Sequence, residues 1–287
     1  MSASTNHPDE PKIKQIVSFS GGAASFAVAH LAVEKYGAQN VVLVFCDTLI
    51  EDPDLYRFID QGSAALGCEM IVLRDGRDPW QVFKDHRYQG NTRTAHCTVD
   101  LKGRTFAKWL TANYTPDECV IHFGFDWTEQ HRLTTAMKNW APYECAALLC
   151  QPPYLSRDQV FQIIDDYDLE IPRLYSMGFL HNNCGGFCVK AGQAHFERLL
   201  RTLPDVYARH EAAQQNLMEE VPTVRPFLRI TKNKVLHYLT LKEFREHVQR
   251  GGGFDAFDNG GCGCFSDGSE SGVVALIAST GTEVTPK

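Results

Sequence analysis

The chain has no apolar run approaching the roughly 20 residues a membrane-spanning helix needs. Residues 1–12 are polar rather than a charged start followed by an apolar core, so neither a membrane anchor nor a signal peptide is expected. A basic excess is also missing. The 28 Lys and Arg against 35 Asp and Glu leave a net charge of −7, and the pI is near 5.9. That balance argues against broad, self-sufficient nucleic-acid binding, which rests on neutralising phosphates, while leaving room for local basic pockets. There is no internal repeat and no Gly-Lys-Ser/Thr at Walker A spacing. These absences point to a cytoplasmic protein, in which ten cysteines read as thiols, metal ligands or redox groups rather than a disulfide framework.

What is present is a chain of 287 residues, 44% hydrophobic and 22% charged, long enough for one large domain with a smaller companion. Five short apolar runs occupy 13–20, 40–48, 69–75, 119–126 and 146–151, with helical spacing over 23–36, 53–66, 79–86 and 99–112. Strand-like runs alternating with helices predict a parallel sheet covered on both faces, the doubly wound α/β class. Such sheets bind ligands beyond the carboxyl ends of their strands. Residues 156–265 read as a small, mainly helical C-terminal cap on the α/β domain over 13–155, with a hairpin within 225–241. Residues 1–12 and 266–287 read as poorly ordered ends.

The first apolar run breaks into Ser18, Ser20, Gly21 and Gly22 and then starts a helix at Ala23. A helix opening directly after a strand offers unpaired N–H groups and a positive dipole end to an anion, with Ser20 and Ser25 adding hydroxyls. The bland alternative is a tight turn with no ligand. After the second run, Asp47 suits a nucleoside contact or a simple helix cap. After the fourth, Gly124 permits close approach, Asp126 and Glu129 suit a metal or hydroxyls, and Arg132 suits an anion; the alternative is a capped, solvated helix. The stretch 90–104 gathers Arg93, His96, Lys102 and Arg104, a local positive density that suits an anion pocket.

Two glycine-flanked cysteine pairs stand in the second half, Cys184 with Cys188 and Cys262 with Cys264. Glycine lets the backbone wrap a metal centre, and four thiolates from two loops suit zinc or a four-iron four-sulfur cluster. Neither pair has the two-residue gap usual in structural zinc sites, which favours the cluster. Cys97 is an alternative ligand or a thiol that handles sulfur. Cys46, Cys68, Cys119, Cys145 and Cys150 lie on or beside apolar runs and suit buried small residues.

Residues 18–25 resemble the Ser-Gly-Gly-x-x-Ser pyrophosphate loop of the PP-loop ATP pyrophosphatases and the related phosphoadenosine phosphosulfate (PAPS) reductases. Ala23 and Ala24 replace the usual Lys-Asp, so Lys102 or Arg132 would have to supply the missing charge. His96-Cys97 with Lys102 is similar to the reductases' Cys-Cys-x-x-x-Lys. Gly124 to Arg132, Pro152-Pro153-Tyr154 and 171–178 follow the family's order. The resemblance implies an adenine nucleotide alpha hydrolase-like fold and an enzyme that binds ATP with Mg2+, adenylates an acceptor and releases pyrophosphate. It further implies sulfur insertion, as in DNA phosphorothioation or tRNA thiolation, with a cysteine desulfurase or other sulfur donor as partner and the nucleic acid presented by a partner. Ser18, Ser20, Gly21, Gly22 and Ser25 would hold phosphates and Asp47 the nucleoside, with Gly124 and Asp126 beside them. Arg93, Lys102 and Arg132 would meet charge on the transferred group. The alternatives are a PAPS or adenylyl sulfate reductase and a non-catalytic nucleotide sensor.

Overall fold

In the computed structural model, residues 13–91, 94–232 and 234–261 are described. Five strands, β1 (Lys14–Ser18), β2 (Val41–Asp47), β3 (Glu69–Arg74), β4 (Cys119–His122) and β5 (Glu144–Ala146), form one parallel sheet in the order β3-β2-β1-β4-β5. β2, Val-Val-Leu-Val-Phe-Cys-Asp, is buried along its whole length, as a central parallel strand covered on both faces must be. The fifth strand comes earlier than expected. Over 146–151 the chain instead leaves the sheet through a short 3-10 turn, Leu148–Cys150.

On one face lie α1 (Ala23–Tyr36) and α2 (Pro53–Leu66). Ala23, Ala27, Ala29 and Ala32 are buried on α1, so the helix axis approaches both the sheet and the later helix α6 (Arg157–Asp165), whose Val160 and Ile164 join this layer. α2 starts at Asp52, whose carboxylate accepts from Asp54 N at 2.9 Å, followed by Pro53, and ends at Gly67 in the left-handed conformation, the usual cap chemistry at both ends. α3 (Pro79–Asp85) repeats the Asp-Pro start at Asp78. The opposite face is covered by α4 (Thr105–Asn113) and α5 (Gln130–Trp140), around Phe106, Phe123 and Trp140. Immediately before α4, Thr98–Arg104 is wound as a π-helix, a rare element that recurs at functional positions.

The remaining elements are α7 (Arg173–Ser176), α8 (Gln193–Thr202), α9 (Pro204–Glu220), an antiparallel hairpin of β6 (Leu228–Lys232) and β7 (Val235–Leu239), and α10 (Leu241–Gln249). They bury a third cluster around Phe179, Phe187, Phe196, Tyr207 and Phe244. Among the described residues no helix is long and apolar enough to cross a membrane.

The chain crosses from β3 back over β1 to reach β4, so the direction of winding reverses between β1 and β4. At such a switch point the loops after adjacent strands diverge and leave a crevice. Here that crevice opens between Ser18 and Phe123.

Candidate active site

The crevice is a cavity of about 430 Å³, within the range of small-molecule sites. Its floor is the loop after β1. Gly21 turns the chain with φ +72, a conformation that costs a side-chain-bearing residue about 1–2 kcal/mol. Gly22 then caps α1 in an extended conformation without a side chain. Ser25 Oγ donates to Gly22 O at 2.8 Å and lies 3.3 Å from Ser20 Oγ. Ser18, Ser20, Gly22 and Ser25 all line the cavity. The second wall follows β4: a Cβ on Gly124 would lie 3.2 Å from Ser25 N, so only glycine lets this loop reach the first turn of α1. Asp126, Glu129 and Arg132 continue that wall.

Arg132 reaches the cavity already partnered, paired with Glu129 and with its guanidinium carbon 4.4 Å from the centre of the Phe125 ring. Asp126 lines the cavity and also caps the following turn, accepting from Thr128 N at 2.8 Å. Lys102 enters from the π-helix with 5% of its surface exposed. It supplies positive charge beside α1 although Ala23 and Ala24 carry none.

Asp47 is not in this cavity. Its carboxylate accepts from Leu49 N, Tyr56 Oη and Arg74 Nε at 2.8–2.9 Å and is 2% exposed. It fixes the loop after β2. Of the residues expected to form an anion pocket over 90–104, Lys102 lines the cavity. His96 stacks on His86 at 4.0 Å between ring centres, and Arg104 binds the buried Asp100 at 2.6 Å. Arg93 lies outside the described residues.

Several lining residues were not anticipated. Tyr175 Oη accepts from Ala23 N at 3.0 Å, holding one of the free amides of α1. Asn182 Nδ2 donates to Gly21 O at 3.1 Å, while Asn182 Oδ1 and His181 Nδ1 are buried with no hydrogen-bond partner among the described residues. Both residues line the cavity, so a bound ligand or water is one way to satisfy these buried polar atoms. Burial, with His195 and Lys102 nearby, pushes His181 down to about 3. His195, whose Nε2 donates to Gly186 O at 2.7 Å, falls to about 4 by burial. Both imidazoles are neutral at pH 7. The signal for His181 and Asn182 was the polar run 181–183 directly before Cys184; His195 had none, and Asn259, Gly260 and Gly261 had none beyond the two glycines.

A second, small cavity adjoins the first, and Cys97, Cys184 and Cys188 line it together with Lys190 and Lys102. Lys102 is common to both cavities. The Cys184–Gly186 turn is pressed against the loop after β2: Cys184 N donates to the Glu51 carboxylate, and a Cβ on Gly185, at φ +58, would lie 2.3 Å from Ile50 O. Residues 258–261 run alongside 190–192, with Gly261 N donating to Lys190 O at 3.2 Å. Cys262 is the next residue in sequence, and it and Cys264 lie outside the described residues. The donor set of three thiols at one cavity suits a metal–sulfur centre. Among the described residues, however, no three His, Cys, Asp or Glu side chains are drawn together closely enough to hold a metal ion. By contrast, burial pushes the thiols of Cys68 and Cys119 up to about 11 and Cys145 to about 12, which keeps them protonated and inert.

Residues 14–112 match the family model described as the phosphoadenosine phosphosulfate reductase domain. No curated protein matches the chain in sequence. Among solved structures, PAPS reductase of Candida auris in its phosphate complex is 14% identical, over 59% of this chain and 79% of that one, with a TM-score of 0.41. The NH3-dependent NAD synthetase of Campylobacter jejuni with nitrate is 14% identical over 74% and 88%, with a TM-score of 0.37. The U34-tRNA thiolase of Methanococcus maripaludis with its [4Fe-4S] cluster is 14% identical over 74% and 72%, with a TM-score of 0.43.

Proposed function

From a PAPS reductase-like domain whose switch-point cavity adjoins a cavity lined by three cysteines, we propose that the protein is an ATP pyrophosphatase that adenylates an acceptor for sulfur insertion, in nucleic-acid sulfur modification. The observation that carries this reading is Lys102, buried and shared by the two cavities. A nucleotide and a sulfur-handling centre would stand on either side of one ammonium group.

The amides at the start of α1 and the hydroxyls of Ser18, Ser20 and Ser25 take the phosphates of ATP, which arrives as its Mg2+ complex. An acceptor oxygen attacks the α-phosphorus, the bond to the bridging oxygen breaks and pyrophosphate leaves with the electron pair. Lys102 and Arg132 stabilise negative charge developing on the transferred group. AMP is then the leaving group when a sulfur nucleophile, brought by a cysteine desulfurase or other donor protein, attacks the adenylated centre. Cys184 and Cys188 together with Cys262 and Cys264, or with Cys97 in place of one of these, would hold a [4Fe-4S] cluster. Such a cluster, when bound, supplies Lewis-acidic iron able to carry sulfur.

Incubation with ATP and magnesium tests the reading: pyrophosphate is expected in the presence of oligonucleotide acceptor, followed by AMP when a sulfide donor is added, and the absence of pyrophosphate overturns it. The family match over residues 14–112 favours a second reading, reduction of PAPS or adenylyl sulfate by a cysteine thiolate. Thiol-dependent sulfite release from PAPS, without pyrophosphate from ATP, would establish that alternative.

A further inference from the structure

The acidic chain has three stretches of more than 20 residues free of acid, at 11–33, 171–196 and 221–242, and the last is the most basic of them. Between Glu220 and Glu243 there is no Asp or Glu, while five residues are Lys or Arg. This stretch contains the β6–β7 hairpin. In its register Arg229 stands directly opposite Tyr238 and Thr231 opposite Leu236. Directly paired residues share a face, so that face carries a cation beside an aromatic ring. It is open to solvent: Arg229, Thr231, Leu236 and Tyr238 are all exposed, Tyr238 at 52%. Arg225 and Lys234 are exposed at the two ends of the same ribbon.

A two-stranded ribbon is marginal by itself, and among the described residues this one is secured at its base. Leu228 is buried in the C-terminal cluster, with Leu239 packed against it. Gln193 Nε2 donates to Arg229 O at 3.0 Å, while Gln193 N donates to Asp258 and its Oε1 accepts from Asp255 N. The hairpin is thereby tied to the segment that ends in Asn259, Gly260 and Gly261 on the nucleotide cavity wall. Lysines on an edge strand ordinarily guard against aggregation. Guarding does not call for Val235, Leu236 and Tyr238, each about half exposed, on a strand whose only partner among the described residues is β6.

We infer that the exposed face of the β6–β7 hairpin is a polynucleotide-docking surface, with Arg229 and Lys234 meeting phosphates and Tyr238 stacking on a base. Charge complementarity selects the occupant: the stretch is locally cationic in an otherwise acidic chain, and an aromatic ring beside an arginine suits an unstacked base. A strand lying along the ribbon is held by an element hydrogen-bonded to the cavity wall. The inference deepens the function proposed above and rests on it for the identity of the acceptor. It assigns to this chain part of the grip on nucleic acid that the net charge had left to a partner.

Fluorescence anisotropy of the full chain with labelled oligonucleotides of about 20 residues tests it, using single-stranded DNA, single-stranded RNA and duplex DNA at two salt concentrations. At least one is expected to bind, more weakly at higher salt. The double variant Arg229→Glu, Lys234→Glu is expected to lose at least about tenfold, with a log–log salt slope shallower by about 1.4, at about 0.7 per lost contact to a single strand. Tyr238→Ala is expected to lose about fivefold or more toward single strands. All three positions are exposed, so thermal midpoints and ATP binding should match the parent protein. No oligonucleotide binding, or equal binding by parent and double variant, overturns the inference. So does hairpin-dependent binding of phosphatidylserine vesicles without oligonucleotide binding. Hairpin-dependent binding with no pyrophosphate release would refute adenylation and leave the docking surface standing; pyrophosphate release with hairpin-independent binding would do the reverse.

Discussion

Replacing Gly22 by valine separates the phosphate cradle from the fold that carries it. Gly22 sits at φ −96 and ψ 160, an extended conformation that a β-branched residue adopts without strain. Its Cβ would lie 3.2 Å from Tyr175 Oη and 3.5 Å from Ser20 Oγ. Tyr175 must therefore yield, weakening its bond to Ala23 N. A poorer helix cap and one weakened hydrogen bond together cost about 2 kcal/mol, lowering Tm by about 4–8 °C. The two methyl groups meanwhile occupy the space through which a phosphate approaches the first amides of α1. Losing two charge-assisted hydrogen bonds costs about 3–6 kcal/mol, or roughly 10²- to 10⁴-fold in affinity for ATP. Titration calorimetry with ATP and magnesium beside differential scanning calorimetry reads both quantities. Gly21→Ala gives the opposite profile, because its Cβ would lie 2.9 Å from Leu55 Cγ at φ +72 and the penalty falls on the core. An unchanged ATP Kd in the Gly22→Val protein would refute the cradle.

Lys102→Met keeps the bulk of the side chain and removes the charge shared by both cavities; pyrophosphate release is expected to fall by about 10²-fold or more, and a parental rate would remove Lys102 from the mechanism. Anaerobically purified protein should contain about four iron atoms, and Cys188→Ala or Gly185→Ala, the latter displacing the turn from Ile50 O, should lower that content; stoichiometric zinc without iron would exclude the cluster. Stability should fall in acid. His122 and His195 are pushed down to about 4 and His210 to about 3 by burial, from an ordinary 6.5. The unfolded chain takes up these protons below about pH 6.5 while the folded chain does not until about pH 4. Each histidine thus removes up to about 1.4 kcal/mol per pH unit across that window. Urea midpoints that stay level from pH 6.5 to 4.5 would contradict the buried, neutral histidines.

The sequence by itself determined the sheet and the glycine turn that opens α1, because both are written in short-range physics. Apolar runs such as 41–47, the Asp-Pro starts at 52 and 78, and Gly21-Gly22 before an alanine-rich helix specify strands, caps and a turn through contacts a few residues apart. The same locality made Gly124 and Arg132 legible, since they follow a strand end directly. Asp47 stayed ambiguous, because an acidic residue at a strand end looks the same in sequence whether or not it also binds Arg74 and Tyr56, as it does here. What only the tertiary structure decided are the contacts across long chain separations. Asn182 reaches Gly21, Tyr175 reaches Ala23, and Cys97 shares one cavity with Cys184 and Cys188. No periodicity encodes these meetings; they follow from how the helices after β5 pack back over the carboxyl ends of the strands. That packing put buried Lys102 where two cavities meet, beside the loop whose own lysine is missing.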